Sequence, residues 1–129
     1  MYTPPPQPPP VDPEVIEMLA SLQEPGEPDL VAELVTLFLR DTPERLRDLQ
    51  ARPLDAGHAS RVAHAVKGSA GNLGATQLQD LASALEQAGH RGDSADALAR
   101  LADAMDVEFA RVAAHLEALL GERADRTEE

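Results

Sequence analysis

The stretch R-V-A-H-A-V-K-G-S-A-G-N-L-G, Arg61 to Gly74, reads as a helix that ends at a glycine. Val62, Val66, Ser69 and Leu73 recur at three- and four-residue steps and so share a face. At about 100° per residue, His64 lies roughly 140° to 200° from each of them, which predicts an imidazole pointing to solvent, opposite the packed side. Lys67 and Gly68 follow it by three and four residues and are its neighbours on the helix surface. Gly68 and Gly71 each cost a helix about 1 kcal/mol relative to alanine. Two such costs beside an exposed histidine predict that bare backbone is needed there, to let another molecule approach the ring.

Working outward, the 129 residues suit one domain. The hydrophobic residues are mostly Ala, Leu and Val, and the aromatic ones are only Tyr2, Phe38 and Phe109. Such a supply fits an aliphatic helical core and is poor for a β-sandwich. There is no cysteine, which excludes disulfides, thiolate metal sites and a cysteine nucleophile. A net charge of −12 argues against nucleic acid and anionic membrane as partners, since both need a basic surface. It favours a partner with a cationic docking face. No apolar run approaches the roughly 20 residues of a membrane span. The N-terminus lacks the features of a signal peptide, so a cytoplasmic location is expected.

Residues 1–11 are proline-rich and are expected to form a disordered, extended arm. Asp12-Pro13-Glu14 starts a short helix whose packing face is Val15, Ile16, Leu19 and Leu22. Glu24 to Pro28 breaks it. Asp29 caps a longer helix with an apolar stripe of Leu30, Val31, Leu34, Val35, Leu37 and Phe38. Thr42-Pro43 can start a new helix or kink a single one, because Leu46 and Leu49 continue the stripe. A third helix is expected from Ala56 to Leu73, with Gly74 as its left-handed cap. A fourth runs from Ala75 to Ala88, turns Leu78, Leu81, Ala82 and Leu85 inward, and ends at Gly89, so that His90 to Asp93 is a loop. Ser94 or Asp93 caps the last helix, with Leu98, Leu101, Met105, Phe109, Val112, Leu116 and Leu119 inward. Gly121 is expected to stop it, and 122–129 to be a flexible charged tail. Short connections then give an all-α, antiparallel four-helix bundle over 12–121, capped at one end by the short N-terminal helix.

The run H-A-V-K-G-S-A-G-N-L-G-A, residues 64–75, resembles the signature of the histidine-containing phosphotransfer (HPt) domain of multistep phosphorelays. His, Lys, Gly, Ser and Leu-Gly stand at the family's spacing. The resemblance implies a four-helix bundle whose exposed phosphoacceptor, here His64, takes a phosphoryl group from a receiver-domain aspartate and passes it to another. It implies response-regulator receiver domains and a hybrid sensor histidine kinase as partners. The Mg²⁺ would come with the receiver, and the chain would have no cofactor of its own. It also implies that the helix runs on, kinked, through Thr42-Pro43 to about Ala51. The chain would then be a monomeric transfer intermediate without autokinase activity, having no room for an ATP-binding domain.

A neutral imidazole has a free ring nitrogen able to attack phosphorus. Lys67 can offset charge on the transferring oxygens. Gly68 and Gly71 would leave room for a docked receiver, with Arg61 on the same side. The second ring nitrogen should donate a hydrogen bond that fixes the tautomer, and a side chain of the fourth helix can accept it. Related domains place Glu or Gln about 22 residues after the histidine, which here is Glu86; Gln79, Ser83 and Gln87 are its rivals. By the same resemblance Ser69 supports packing and is not phosphorylated. Asn72 and Gly74 read as helix-end residues. His58, His90 and His115 have no partner at a ligand spacing, so no protein-bound metal is expected. No strand-to-helix nucleophile turn offers a serine hydrolase site. Two other functions fit the same helices: a binding module that regulates a kinase or receiver without being phosphorylated, and a structural bundle with an incidental histidine.

Overall fold

Three aspartates start helices. The Asp12 carboxylate accepts from the Glu14 amide, Asp29 from Ala32 and Asp55 from His58, each satisfying a first-turn N–H that has no partner inside its helix. They open α1 (Pro13–Ser21), α2 (Leu30–Asp48) and α3 (Ala56–Asn72). α4 (Thr76–Arg91) follows a three-residue connection and has no side-chain cap. α5 (Ala95–Glu128) begins after Ser94, whose hydroxyl accepts from the Ala97 amide. The computed structural model describes residues 1–3 and 7–128, with side chains through residue 126, and contains no strand among them.

Helices α2 to α5 form the antiparallel four-helix bundle, and α1 lies against α2 as a short cap. α3 and α4 make the most extensive pair. The core is aliphatic, with Leu49, Leu78, Leu85, Leu98, Met105 and Leu116 its largest fully buried side chains. Phe38 of α2 and Phe109 of α5 meet with ring centroids 5.8 Å apart.

Several boundaries depart from the sequence reading. α2 is one helix through Pro43, ending at Asp48 rather than near Ala51. Proline cannot donate to the Leu39 carbonyl, but Val35 and Phe38 before it and Leu46 after it are all buried, so tertiary packing holds the helix together. Leu37 and Leu22, expected to face inward, are exposed at 44% and 61%. Thr42 is fully buried instead.

Gly89 does not end α4. It is buried inside the helix, and the left-handed residue that stops it is Gly92, at φ +71°. His90 and Arg91 are therefore helical. Nor does Gly121 end α5, which continues to Glu128. There Arg123 donates to both carboxylate oxygens of Asp29, tying the end of α5 to the start of α2. That pair holds the Asp29 carboxyl below the usual carboxylate range, against burial, with the Ala32 amide lowering it further.

The proline-rich arm over 1–11 falls partly outside the described residues, which omit 4–6. Of the remainder, Val11 is buried in the core, and the Pro8 carbonyl accepts from Arg111 of α5. Arg111 also pairs with Glu108 and bonds Gln77 of α4. Gly74 caps α3 as expected, at φ +75°. Its carbonyl accepts from the Asp12 amide at 2.8 Å, fastening the entry of α1 to the α3–α4 turn.

Candidate functional site

The buried face of α3 is lined mainly by small residues: Ala59, Ser60, Ala63, Val66 and Ala70. Val62 and Ser69, expected at its centre, are only partly buried. The packed face is thus rotated from the one drawn through the valines, because alanine is small enough to meet a neighbouring helix closely. The rotation changes where His64 stands. It is about 40° from buried Ser60, so it borders the α3–α4 seam and does not lie opposite the core. Its side chain remains 71% exposed.

From that border the ring meets α4. Its Nδ1–H donates to Glu86 Oε2 at 2.5 Å, and Lys67 Nζ donates to Glu86 Oε1 at 2.5 Å. One carboxylate, itself only 12% exposed, therefore holds the imidazole with one oxygen and the ammonium with the other. The arrangement is charge-assisted and two-pronged. With Nδ1 protonated, the lone pair of neutral His64 resides on Nε2, which has no hydrogen-bond partner among the described residues.

The Lys67 hydrogen bond is the largest influence on Glu86. It holds the carboxyl below the usual carboxylate range; burial opposes it and the His64 hydrogen bond adds to it. The unfolded chain therefore takes up the Glu86 proton first as pH falls. The clamp's stabilisation is fully present above the unfolded value, about 4.3, and is lost as pH falls through the lower folded value. The melting-temperature gap between wild type and Glu86→Gln should be smaller in acid, well below the unfolded value, than at pH 7. A gap that persists in acid would show that the carboxylate charge contributes nothing.

Of the rivals to Glu86, none bonds the ring among the described residues. Gln87 donates to Ser83, and the Gln79 amide lies against Gly71. The two glycines prove unlike. A Cβ at Gly71 would fall 2.6 Å from Gln79 Nε2, so its bare backbone already has an occupant within the chain. A Cβ at Gly68 would meet nothing within 4 Å. Arg61 and Gly68 are exposed on the same ridge as His64.

Sequence reasoning missed a second set of contacts one turn away. Ser60, four residues before His64, donates through Oγ to the Glu86 carbonyl at 3.2 Å, and the same Oγ lies 3.1 Å from His90 Nε2. A buried serine one turn before the histidine was the available signal; assigning His90 to a loop concealed it. Among the described residues no group of three or more His, Cys, Asp or Glu side chains is placed to hold a metal ion. No described helix is long and apolar enough to cross a membrane.

The family model described as "Hpt domain" matches residues 33–122. The chain is similar to the crystal structure of histidine-containing phosphotransfer protein B (HptB) from Pseudomonas aeruginosa PAO1. The two are 31% identical with a TM-score of 0.76, over 88% of this chain and 96% of that one. No curated protein matches.

Proposed function

Since the chain belongs to the Hpt domain family, a histidine-containing phosphotransfer family of phosphorelays, we propose that it carries phosphoryl groups between receiver-domain aspartates on His64. The observation that carries this reading is an exposed imidazole whose Nδ1–H is held by Glu86, leaving the Nε2 lone pair open beside Lys67. In the first half-reaction Nε2 attacks the phosphorus of an aspartyl phosphate. The N–P bond forms, the P–O bond to the acyl oxygen breaks, and the aspartate carboxylate leaves with the electron pair. The second half-reaction reverses these changes on another receiver's aspartate. Nδ1 keeps its proton throughout, and Glu86 offsets the positive charge that the ring gains. Lys67, held by the same carboxylate as the ring, would exchange that contact for a phosphoryl oxygen.

Net charge alone favours a cationic docking face, but the local charge around His64 supports an anionic partner. From Ala56 to Gln79 the chain has no carboxylate, and its charged residues there are Arg61 and Lys67. In a chain of net charge −12 this helix is the face on which an anionic, phosphorylated pocket meets least repulsion. In this reading the Mg²⁺ belongs to the receiver, and the phosphoryl group originates in a hybrid sensor histidine kinase. The chain contributes the nucleophile, the charge beside it, and the open backbone at Gly68.

The test is a transfer assay. Receiver domains from the source organism are charged with labelled acetyl phosphate and mixed with the chain. Label should move to the chain within minutes and prove acid-labile and alkali-stable, as a phosphoramidate is. Acid-stable label, or no transfer from any receiver, would overturn the reading. Docking without label would make the chain a regulatory binding module.

A further inference from the structure

Three sets of contacts between α3 and α4 share a geometric origin. The helices run antiparallel, so Gly71 faces Gln79, His64 and Lys67 meet Glu86, and Ser60 meets Glu86 and His90. At the far end of this ladder Gly89 presses on the backbone of α3. A Cβ there would sit 2.6 Å from the Ala56 carbonyl oxygen, 3.0 Å from Ser60 Cβ and 3.2 Å from the Ser60 amide nitrogen. Two of those three atoms are backbone and cannot rotate aside. Gly89 is an ordinary helical residue with no positive φ, so the reason for glycine is proximity alone. Ser60, already in contact with it, sends its hydroxyl to the Glu86 carbonyl. The pair thus fixes both the spacing of the helices and the height of α4 along α3, one turn below the carboxylate that holds the imidazole.

We infer that Gly89 and Ser60 are positioning residues for the phosphoacceptor. Their contact sets the helix separation at which Glu86 reaches His64 and Lys67 together. The consequence for transfer rests on the phosphorelay reading; the consequence for the ring does not. A methyl group at position 89 must push α4 away from α3. Glu86 then retreats from Nδ1, and the ring loses the acceptor that selects its tautomer.

The experiment follows the ring and the transfer together in the full chain, with histidine labelled in its ring nitrogens. Wild type should show His64 mainly protonated on Nδ1. Gly89→Ala should shift it toward the Nε2-protonated form that free imidazole prefers, and transfer should slow about tenfold or more, since misplacement of about 1 Å is costly in a reacting geometry. Alanine is the better helix former, so propensity does not work against the variant. A folded Gly89→Ala with the wild-type ring pattern and unchanged transfer would overturn the inference. If Gly89→Ala does not fold, Ser60→Ala decides: it keeps the Cβ and removes the hydroxyl's ties to the Glu86 carbonyl and to His90, and an unmoved ring pattern would overturn the inference. If wild type takes no label but the ring still responds to the substitution, the relay reading falls and the positioning role stands.

Discussion

His64→Gln should take no label from any receiver that charges the wild type. The loss should exceed about 10³-fold, as expected when the nucleophile itself is removed. Glutamine is neutral and polar, and the position is 71% exposed, so stability should change by no more than about 0.5 kcal/mol. Glu86 keeps its Lys67 partner, so no carboxylate is left isolated. The other histidines are poor substitutes. His58 Nε2 lies 3.3 Å from the Asp48 carbonyl, and His90 Nε2 is engaged by Ser60. His115 makes no hydrogen bond among the described residues that would orient its ring. The measurement is the transfer assay on matched wild-type and variant chains, with circular dichroism confirming the fold. Equal labelling of the two would remove His64 from the reaction.

The second large effect concerns stability. Gly74→Ala should lower the unfolding free energy by about 2–4 kcal/mol, combining the left-handed backbone penalty with overpacking. Gly74 has φ +75°, and a Cβ there would fall 2.8 Å from Val15 Cβ and 3.3 Å from Asp12 Cβ. Both residues belong to the entry of α1, which Gly74 also holds through the Asp12 amide. The substitution must therefore strain the turn and lift α1. Urea denaturation checks it, with Gly68→Ala as the comparison. Gly68 is helical with open space beside it, so alanine there should stabilise by about 1 kcal/mol. Equal stability of Gly74→Ala and wild type would mean that the α1 entry is not seated as described.

Features with a local cause were legible in the sequence. Asp12 and Asp29 start helices because a carboxylate satisfies amides a few residues away, and Gly74 ends α3 because its own φ demands glycine. The exposure of His64 followed from periodicity. What escaped depends on contacts between elements. Gly89 and Gly121 both look like helix stops, but one is required by the proximity of Ala56 and Ser60, and the other lies in a helix continuing to Glu128. Val11 sits at the end of a proline run, and only the docked α1 entry explains its burial. The orientation of α3 was drawn through Val62 and Ser69, whereas Ala59, Ala63 and Ala70 carry the close packing. That error placed His64 on the far side of the helix, when its bond to Glu86 depends on standing at the seam. Glu86 came from family spacing; its second bond, to Lys67, was not foreseen.

Glu86, which bonds the imidazole, and the groups that bond Glu86 or Ser60, through to His90, lie on the single hairpin of α3 and α4. Bringing those groups together closes only a short loop, which costs little chain entropy and needs no distant segment in register. α1, α2 and α5 supply the rest of the core but no hydrogen bond to the ring among the described residues. Their outward surfaces can therefore diverge, lengthen or acquire new partners while the chemistry stays as it is. A designer can transplant or diversify them as one part and leave the hairpin untouched as another.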